Sequence, residues 1–397
     1  MLVPFAMMAP TLPLDGIRVL DLSRVLAGPF ATMLLGDLGA DVWKLEPPAG
    51  DETRTWGPPF WGEPSERRSA YFASVNRNKR SVVVDLRTDA GHALLQRLAA
   101  QADLLVHNYR PRTAERLRLE EVVAQHPELV VSAIGGFVGT DVDRPAYDLL
   151  AQAVSGLMSV TGDTQGGPMK VGVALLDLIA GLEAALGALA GLLARERGDD
   201  GPHRFDASLV ETGVASLVNV LGNHLASGIE PQRHGNAHPN IVPYEAFEVA
   251  DGHVVLAVGN DAQFGALCKV LGLEAEERFA TNPGRVAGRD DLLPLLRARL
   301  ALRRREELLA ALRAADVPAG PVNAVSEAVG DLERATGGWV AELDGMRLAP
   351  SPLHFAGAAA PIRLMPPLLG QHTDQILHEA GVSGDEVAEL RARGVVV

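Results

Sequence analysis

The residue of this 397-residue sequence best suited to covalent chemistry is Asp177. It stands in Val171-Gly172-Val173-Ala174-Leu175-Leu176-Asp177-Leu178-Ile179-Ala180-Gly181, a lone acid entering a long apolar run. An isolated charge in such surroundings is costly and needs compensation. The plain reading is an N-cap, with the carboxylate accepting hydrogen bonds from the first N–H groups of its helix. Those N–H groups and the helix dipole also keep the carboxylate ionised, as a carboxylate nucleophile requires. The structural and catalytic readings are therefore compatible. Two other reactive side chains carry weaker signals. His238, in Ala237-His238-Pro239-Asn240, reads either as a contact to a substrate carboxylate or as a turn histidine satisfied by backbone. Cys268 sits among apolar residues at helical spacing and reads as core rather than nucleophile.

The elements that must position these groups belong to a folded chain. Hydrophobic residues make up 47% and charged residues 22%, without a polar tract. The formal charge of −14 argues against duplex nucleic acid as a partner, while leaving room for a local basic pocket. A single cysteine excludes an intramolecular disulfide framework and a Cys-built metal site, and fits a reducing cytoplasm. No metal site is expected. Residues Met1 to Pro10 are apolar but lack the flank and length of a signal peptide, and read as a loose extension. The run Leu175 to Ala194 has the look of a membrane span, yet it carries Asp177 and Glu183 and several glycines. A buried helix of a soluble protein, with no membrane partner, is the expectation.

Short β-branched runs alternate with helical patterns through the first half, the mark of βαβ units and a mostly parallel sheet. Strands are predicted at Ile17 to Leu22, Asp41 to Leu45, Ser81 to Leu86, Ala102 to Val106 and Leu129 to Ala133. Helices are predicted at Phe30 to Leu38, Ala90 to Ala100, Thr113 to Val123 and Leu178 to about Ala194. The fold class is α/β, with a Rossmann-like large domain. The turn after the first strand, Ser23-Arg24-Val25-Leu26-Ala27-Gly28-Pro29, lacks G-x-G-x-x-G, so a dinucleotide site loses its main support. Beyond about residue 226 the texture shifts to Gly-, Pro- and His-rich loops and then a hairpin, Tyr244 to Val249 and Val254 to Val258, about Asp251-Gly252. Helical stretches follow at Asp261 to Leu271, Asp290 to Arg299 and Arg305 to Ala314. The expected division is 1–225 for the first part of the large domain, 226–330 for a smaller α+β domain, and 331–397 for a return to the large one. In that return, Gln371 to Leu390 has a helical pattern.

Several segments together resemble the class III coenzyme A transferase family from about Pro13 to Leu390. They are Leu14-Asp15-Gly16-Ile17-Arg18-Val19-Leu20-Asp21-Leu22, Ala27-Gly28-Pro29, Leu38-Gly39-Ala40-Asp41-Val42-Trp43-Lys44-Leu45-Glu46-Pro47-Pro48, Asn76-Arg77-Asn78-Lys79-Arg80-Ser81, Asn108-Tyr109-Arg110-Pro111, Gly235-Asn236-Ala237-His238-Pro239-Asn240-Ile241-Val242-Pro243-Tyr244 and Leu369-Gly370-Gln371-His372-Thr373. The resemblance implies an enzyme that moves coenzyme A from an acyl-CoA to a carboxylic acid, with Asp177 as nucleophile. A mixed anhydride and then an aspartyl-CoA thioester would form in turn. Neither ATP nor a permanently bound cofactor is needed if water is kept out. The family's coenzyme A positions map onto Val25, Leu26, Asn76, Arg77, Asn78, Lys79, Asn108, Tyr109, Arg116, Gly136 and Phe137, with Lys79, Arg80 and Arg116 as candidate phosphate cations. Where relatives often carry a basic residue after the position of Glu46, this chain has Pro47, so Arg24 or Lys44 is the candidate substitute. Some relatives have consecutive glycines where Gly259-Asn260-Asp261 stands here, so the amides of an oxyanion hole are not identified. The resemblance also implies an interlocked homodimer.

The nearest rival activity is that of the related 2-methylacyl-CoA racemases, which pair the aspartate with a histidine. In Arg144-Pro145-Ala146-Tyr147-Asp148 the histidine's place is taken by Tyr147, and a tyrosine of ordinary pKa, about 10, is a poor base at neutral pH. Tyr147 and His238 are the candidate substrate contacts. A non-catalytic coenzyme A-binding protein is the third reading, against which the retained Asp177 weighs.

Overall fold

Six short strands, the first five carrying valine, leucine or isoleucine, make one parallel sheet: β1 Arg18–Asp21, β2 Asp41–Glu46, β3 Lys79–Val83, β4 Leu104–His107, β5 Val130–Gly135 and β6 Arg204–Ser208. The computed structural model describes residues 12–64, 66–199, 201, 203–274, 276–355 and 358–397. The apolar segment Met1 to Pro10 therefore lies outside the described residues. Across the sheet the order is β3-β2-β1-β4-β5-β6, with every pair parallel. The chain thus builds outward one way from β1 and then the other way from β4. In open α/β sheets, ligands bind beyond the carboxyl ends of the strands at such a reversal.

Period-two alternation sends side chains to both faces, and both are covered. Leu20, Trp43, Val82, Leu105 and Val131 pack into one layer with Leu94, Leu95 and Leu98 of helix α2, Asp89–Ala99, and with Ile376, Leu377 and Leu390. Val19, Val42, Leu104, Val106 and Val130 pack into the other, with Ala31 and Leu35 of α1, Ala27–Asp37. A 22-residue helix completes that second layer. This is α5, Leu175–Glu196, which contributes Leu176, Ala180, Ala184 and Ala188. It follows α3, Pro111–Arg116, and α4, Asp148–Val154. It precedes α6, Leu209–Ala215. Gly181 permits its close approach to α1, because a Cβ there would lie 2.6 Å from the Ala27 carbonyl oxygen. By length and composition α5 could cross a membrane. Its alanine and glycine face nonetheless packs on the sheet and α1.

The structure shifts several predicted boundaries. α5 begins at Leu175, three residues before the predicted Leu178, which changes the position of Asp177 within it. α1 begins at Ala27 rather than Phe30, with Pro29 in a first turn whose N–H groups have no helical acceptor. The predicted helix Thr113 to Val123 is two, because Arg118 takes a left-handed φ of 56° between Pro111–Arg116 and Leu119–Gln125. The Gln371 to Leu390 pattern is likewise two helices, Thr373–Glu379 and Gly384–Ala392. They lie against the sheet layer near β3, where the His372 N–H donates to the Ser81 carbonyl at 2.9 Å.

The chain divides into two compact units. The sheet belongs to the first, which runs to Leu157 and includes Val171–Leu221 and Gly338–Val397. The second comprises Met158–Lys170 and Gly222–Gly337. Its antiparallel sheet joins β7 Tyr244–Val249, β8 Gly252–Ala257 and β9 Ala319–Pro321, with a core of Phe247, Leu256, Phe264, Leu296 and Leu308 among others. Cys268 is buried in that core.

Candidate active site

The loop leaving β1 is held by side chains from three directions. The Ser23 N–H donates to Asp21 Oδ1 at 2.9 Å, and the Arg24 N–H to Asn108 Oδ1 at 2.9 Å. The Val25 N–H lies 3.3 Å from Asp51 Oδ2, and Asn108 Nδ2 returns a bond to the Arg24 carbonyl at 2.7 Å. So fastened, Val25 keeps a left-handed φ of 69°, a costly conformation for a β-branched residue. Strain of this kind collects at functional sites, where surrounding contacts enforce it.

Beneath the loop lies a buried ionic cluster. Lys79 Nζ donates to Asp21 Oδ2 at 3.0 Å, to the Pro29 carbonyl and to Asn76 Oδ1. Lys44 Nζ donates to Asp51 Oδ2 at 3.1 Å and to the Ser23 carbonyl. Both ammonium groups are fully buried. Burial works against the charge of Asp21, but Lys79, Lys44 and the Ser23 and Thr32 hydroxyls outweigh it and hold the carboxyl down at about 2. Arg77 is paired with Asp37 at 2.6 Å, and Asn78 bonds Asp37, the Pro361 carbonyl and the Arg363 N–H.

A cavity of about 280 Å³ opens at the carboxyl ends of β1, β4 and β5. Its wall includes Val25 and Leu26 after β1, Asn108 and Tyr109 after β4, Gly136 after β5, then Tyr147 and Asp177. Of the residues singled out from the sequence, these seven and Arg24 are brought together. Gly136 is required sterically, since a Cβ there would fall 2.2 Å from that of Ala146. Phe137 lines a neighbouring cavity of about 690 Å³, and Tyr109, Ile134, Gly135 and Val142 border both. In the larger cavity the His107 and Tyr109 rings lie nearly parallel, centroids 6.0 Å apart. Burial, aided by Arg204, pushes the His107 imidazole down to about 4, so it is neutral at pH 7.

The remaining expected positions lie elsewhere. Asn76, Arg77, Asn78 and Lys79 are at most 4% exposed and line neither cavity, so their side chains hold the loop and helix ends together. Arg80 is committed to Asp41 and Glu379, and Lys44 to Asp51. Arg116 is exposed on α3 and borders neither cavity. His238 belongs to the second unit, where its Nδ1 accepts the Asn240 N–H at 3.0 Å and its ring meets Tyr244 edge-on. That is the arrangement of a turn histidine. The cations that do line the 280 Å³ cavity are Arg24, Arg110 and Arg144. Arg24 stands 5.6 Å from the Tyr109 ring centroid, and its Nε is buried without a hydrogen-bond partner among the described residues. Neither Arg110 nor Arg144 was singled out as a cation from the sequence. A lone arginine in a loop carries no signal of where it points.

Asp177 occupies the third position of α5, not the N-cap, which is Ala174. The predicted cap is supplied by Asp148, whose Oδ1 accepts the Leu176 N–H at 2.8 Å. Asp177 is half-buried, and next to it Val25, Leu26, Phe30, Tyr71, Ala174 and Leu178 form an apolar cluster. That burial, and then the charge of Asp148, push its carboxyl up to about 7. No group of three or more His, Cys, Asp or Glu suited to a metal occurs among the described residues. The chemistry of the wall is the carboxylate of Asp177, made basic by its surroundings, with Glu52, three arginines and the rings of Tyr109 and Tyr147 about it.

Comparison with known proteins gives one answer. Residues 14–373 match the profile of CoA-transferase family III. The succinyl-CoA:glutarate CoA-transferase of Mus musculus is 40% identical over 97% of this chain and 90% of its own. The succinate–glutarate CoA-transferase of Agrobacterium fabrum is 40% identical over 92% and 95%. Among solved structures, a CAIB/BAIF family protein from Brucella suis superposes with a TM-score of 0.83 at 40% identity, covering 94% of this chain and all of that one.

Proposed function

The chain belongs to CoA-transferase family III, and from that premise we propose that it moves coenzyme A between short dicarboxylic acids, with Asp177 as covalent relay. Succinyl-CoA and glutarate are named for the Mus musculus relative, and succinate and glutarate for that of Agrobacterium fabrum. The observation that carries the mechanism is Asp177 on the cavity wall with its proton affinity raised to about 7. At neutral pH a large fraction is anionic, and the anion is a better nucleophile than an ordinary carboxylate.

The steps balance without another reagent. An Asp177 carboxylate oxygen attacks the thioester carbonyl, the C–S bond breaks, and coenzyme A leaves as thiolate from a mixed anhydride. The thiolate attacks the aspartyl carbonyl, releasing the donor acid and forming the aspartyl-CoA thioester. The acceptor carboxylate displaces the thiolate to form the second anhydride. The thiolate then attacks the acceptor carbonyl, which regenerates Asp177. Leu26 and Ala27 border the same cavity at the first turn of α1, where N–H groups have no helical acceptor, and serve the oxyanions. Arg24, with its unpartnered Nε, takes a coenzyme A phosphate in place of the cation that Pro47 lacks. The His107 and Tyr109 rings offer the adenine a flat face in the larger cavity.

The chain assembles as an interlocked homodimer. Leu182, Leu186 and Leu193 are 51%, 68% and 50% exposed along one side of α5, an apolar stripe that a second copy would cover. The test of the mechanism is isotope exchange between succinyl-CoA and glutarate followed by mass spectrometry. Asp177→Ala is expected to lose at least about a thousandfold in exchange while still binding coenzyme A. Hydroxylamine added during turnover should modify Asp177. Normal exchange in that variant, or modification at another residue, rejects the mechanism.

A further inference from the structure

Nothing in the local sequence of α5 caps its start. Ala174 precedes it and makes no side-chain cap. The acceptor comes from 28 residues away in the chain. Asp148, 7% exposed on α4, turns Oδ1 to the Leu176 N–H at 2.8 Å and to the Asp177 N–H at 3.4 Å. Its Oδ2 accepts from Gln152 Nε2 at 2.5 Å. Gln152 Oε1 in turn accepts the Val171 N–H at 2.8 Å. Four residues apart, Asp148 and Gln152 share one side of α4. That side grips both the chain entering α5 and the first turn of the helix.

Resting on the reading of Asp177 as the acylated group, we propose that Asp148 is its positioning residue, capping α5 from outside so that the Asp177 side chain is directed at the cavity beside a fixed negative charge. A carboxylate in the first turn of a helix is normally stabilised by the free N–H groups and the dipole, which makes it a weaker base. Here Asp148 takes up those N–H groups. Asp177 is left with burial and a like charge, and its proton affinity rises to about 7 rather than falling. Other charged or titratable groups surround the same space. Arg24, Glu52, Arg110, Arg144, Tyr109 and Tyr147 border the cavity, and Tyr71 lies in the apolar cluster next to Asp177. On the packed elements, Glu183 is tied to Thr212, while Glu211 of α6 and Arg204 and Asp206 of β6 face the larger cavity. Among them Asp148 is the one whose charge adds to burial in raising Asp177.

Aspartate carboxyls labelled with carbon-13 in the full-length protein, with D177N used to assign the signal, report the Asp177 titration without any turnover. Asp148→Asn keeps an oxygen to accept the Leu176 N–H but removes the charge. It is expected to lower the Asp177 midpoint by about one pH unit and to move the acid limb of exchange with it. Its exchange at the optimum is expected within about tenfold of the parent, since the cap persists. Asp148→Ala removes the cap as well and is expected to lose about a hundredfold or more through misdirection of the nucleophile. An unmoved midpoint in D148N, or equal exchange in D148A and D148N, overturns the proposal. Exchange that survives in D177N would instead remove the aspartyl mechanism, while the titration result would still stand as measured.

Discussion

The carboxyl of Asp177 gives the site a pH signature. Only the anion attacks, so protonation removes activity as the pH falls through the group's value of about 7. The value of kcat/KM for succinyl-CoA is expected to rise tenfold per pH unit on the acid side and to level off above about 7, as read from initial rates across pH 5 to about 9. A limb near pH 4 would mean that the reacting carboxyl is not in this environment. Lys79 gives the opposite kind of prediction. Its ammonium is fully buried against Asp21, so Lys79→Met removes one partner of a buried ion pair and is expected to cost about 3–5 kcal/mol in denaturant unfolding. The affinity of the remaining folded protein for coenzyme A should be unchanged. Asp177 was legible in the sequence because an acid alone in an apolar run is conspicuous. The role of Lys79 was not, because a lysine that fills a buried pair and one that awaits a phosphate look the same until burial is known. Asp148 was equally opaque, since its partner N–H groups belong to a helix 28 residues on.

Helices and strands were legible to the extent that local chemistry decides them. The β7 strand Tyr244–Val249 and the helices Asp261–Leu271 and Arg305–Ala314 fall at the predicted residues. β6 gave no signal, because Arg204-Phe205-Asp206-Ala207-Ser208 alternates polar and apolar at the sheet edge instead of forming a buried apolar run. The start of α5 was misplaced because its cap is tertiary rather than local. The packing of α5 on α1 makes its own prediction. A methyl group at Gly181 would sit 2.6 Å from the Ala27 carbonyl oxygen, so Gly181→Ala is expected to force the helices apart and cost about 1–3 kcal/mol. Ala27 also borders the cavity, so the same variant should show a raised KM for acyl-CoA. Thermal unfolding and steady-state kinetics check the two effects separately.

At the scale of the molecule, the mostly parallel sheet was legible from alternating patterns, whereas its strand order and reversal point were not. Nor was the inclusion of Met158–Lys170 in the second unit, because that crossing of the chain leaves no compositional trace. Assembly is tested by Leu186→Glu, which places a charge on the apolar stripe of α5 and is expected to yield monomer in sedimentation analysis. The three fastened amides of Ser23, Arg24 and Val25 carry a consequence for timing. That wall of the cavity is already in its final form before any thioester arrives, so no folding of the loop has to accompany capture. In stopped-flow mixing, the observed rate of acyl-CoA uptake should climb in a straight line with concentration, whereas a curve that flattens would reveal a slow rearrangement that this geometry leaves no need for.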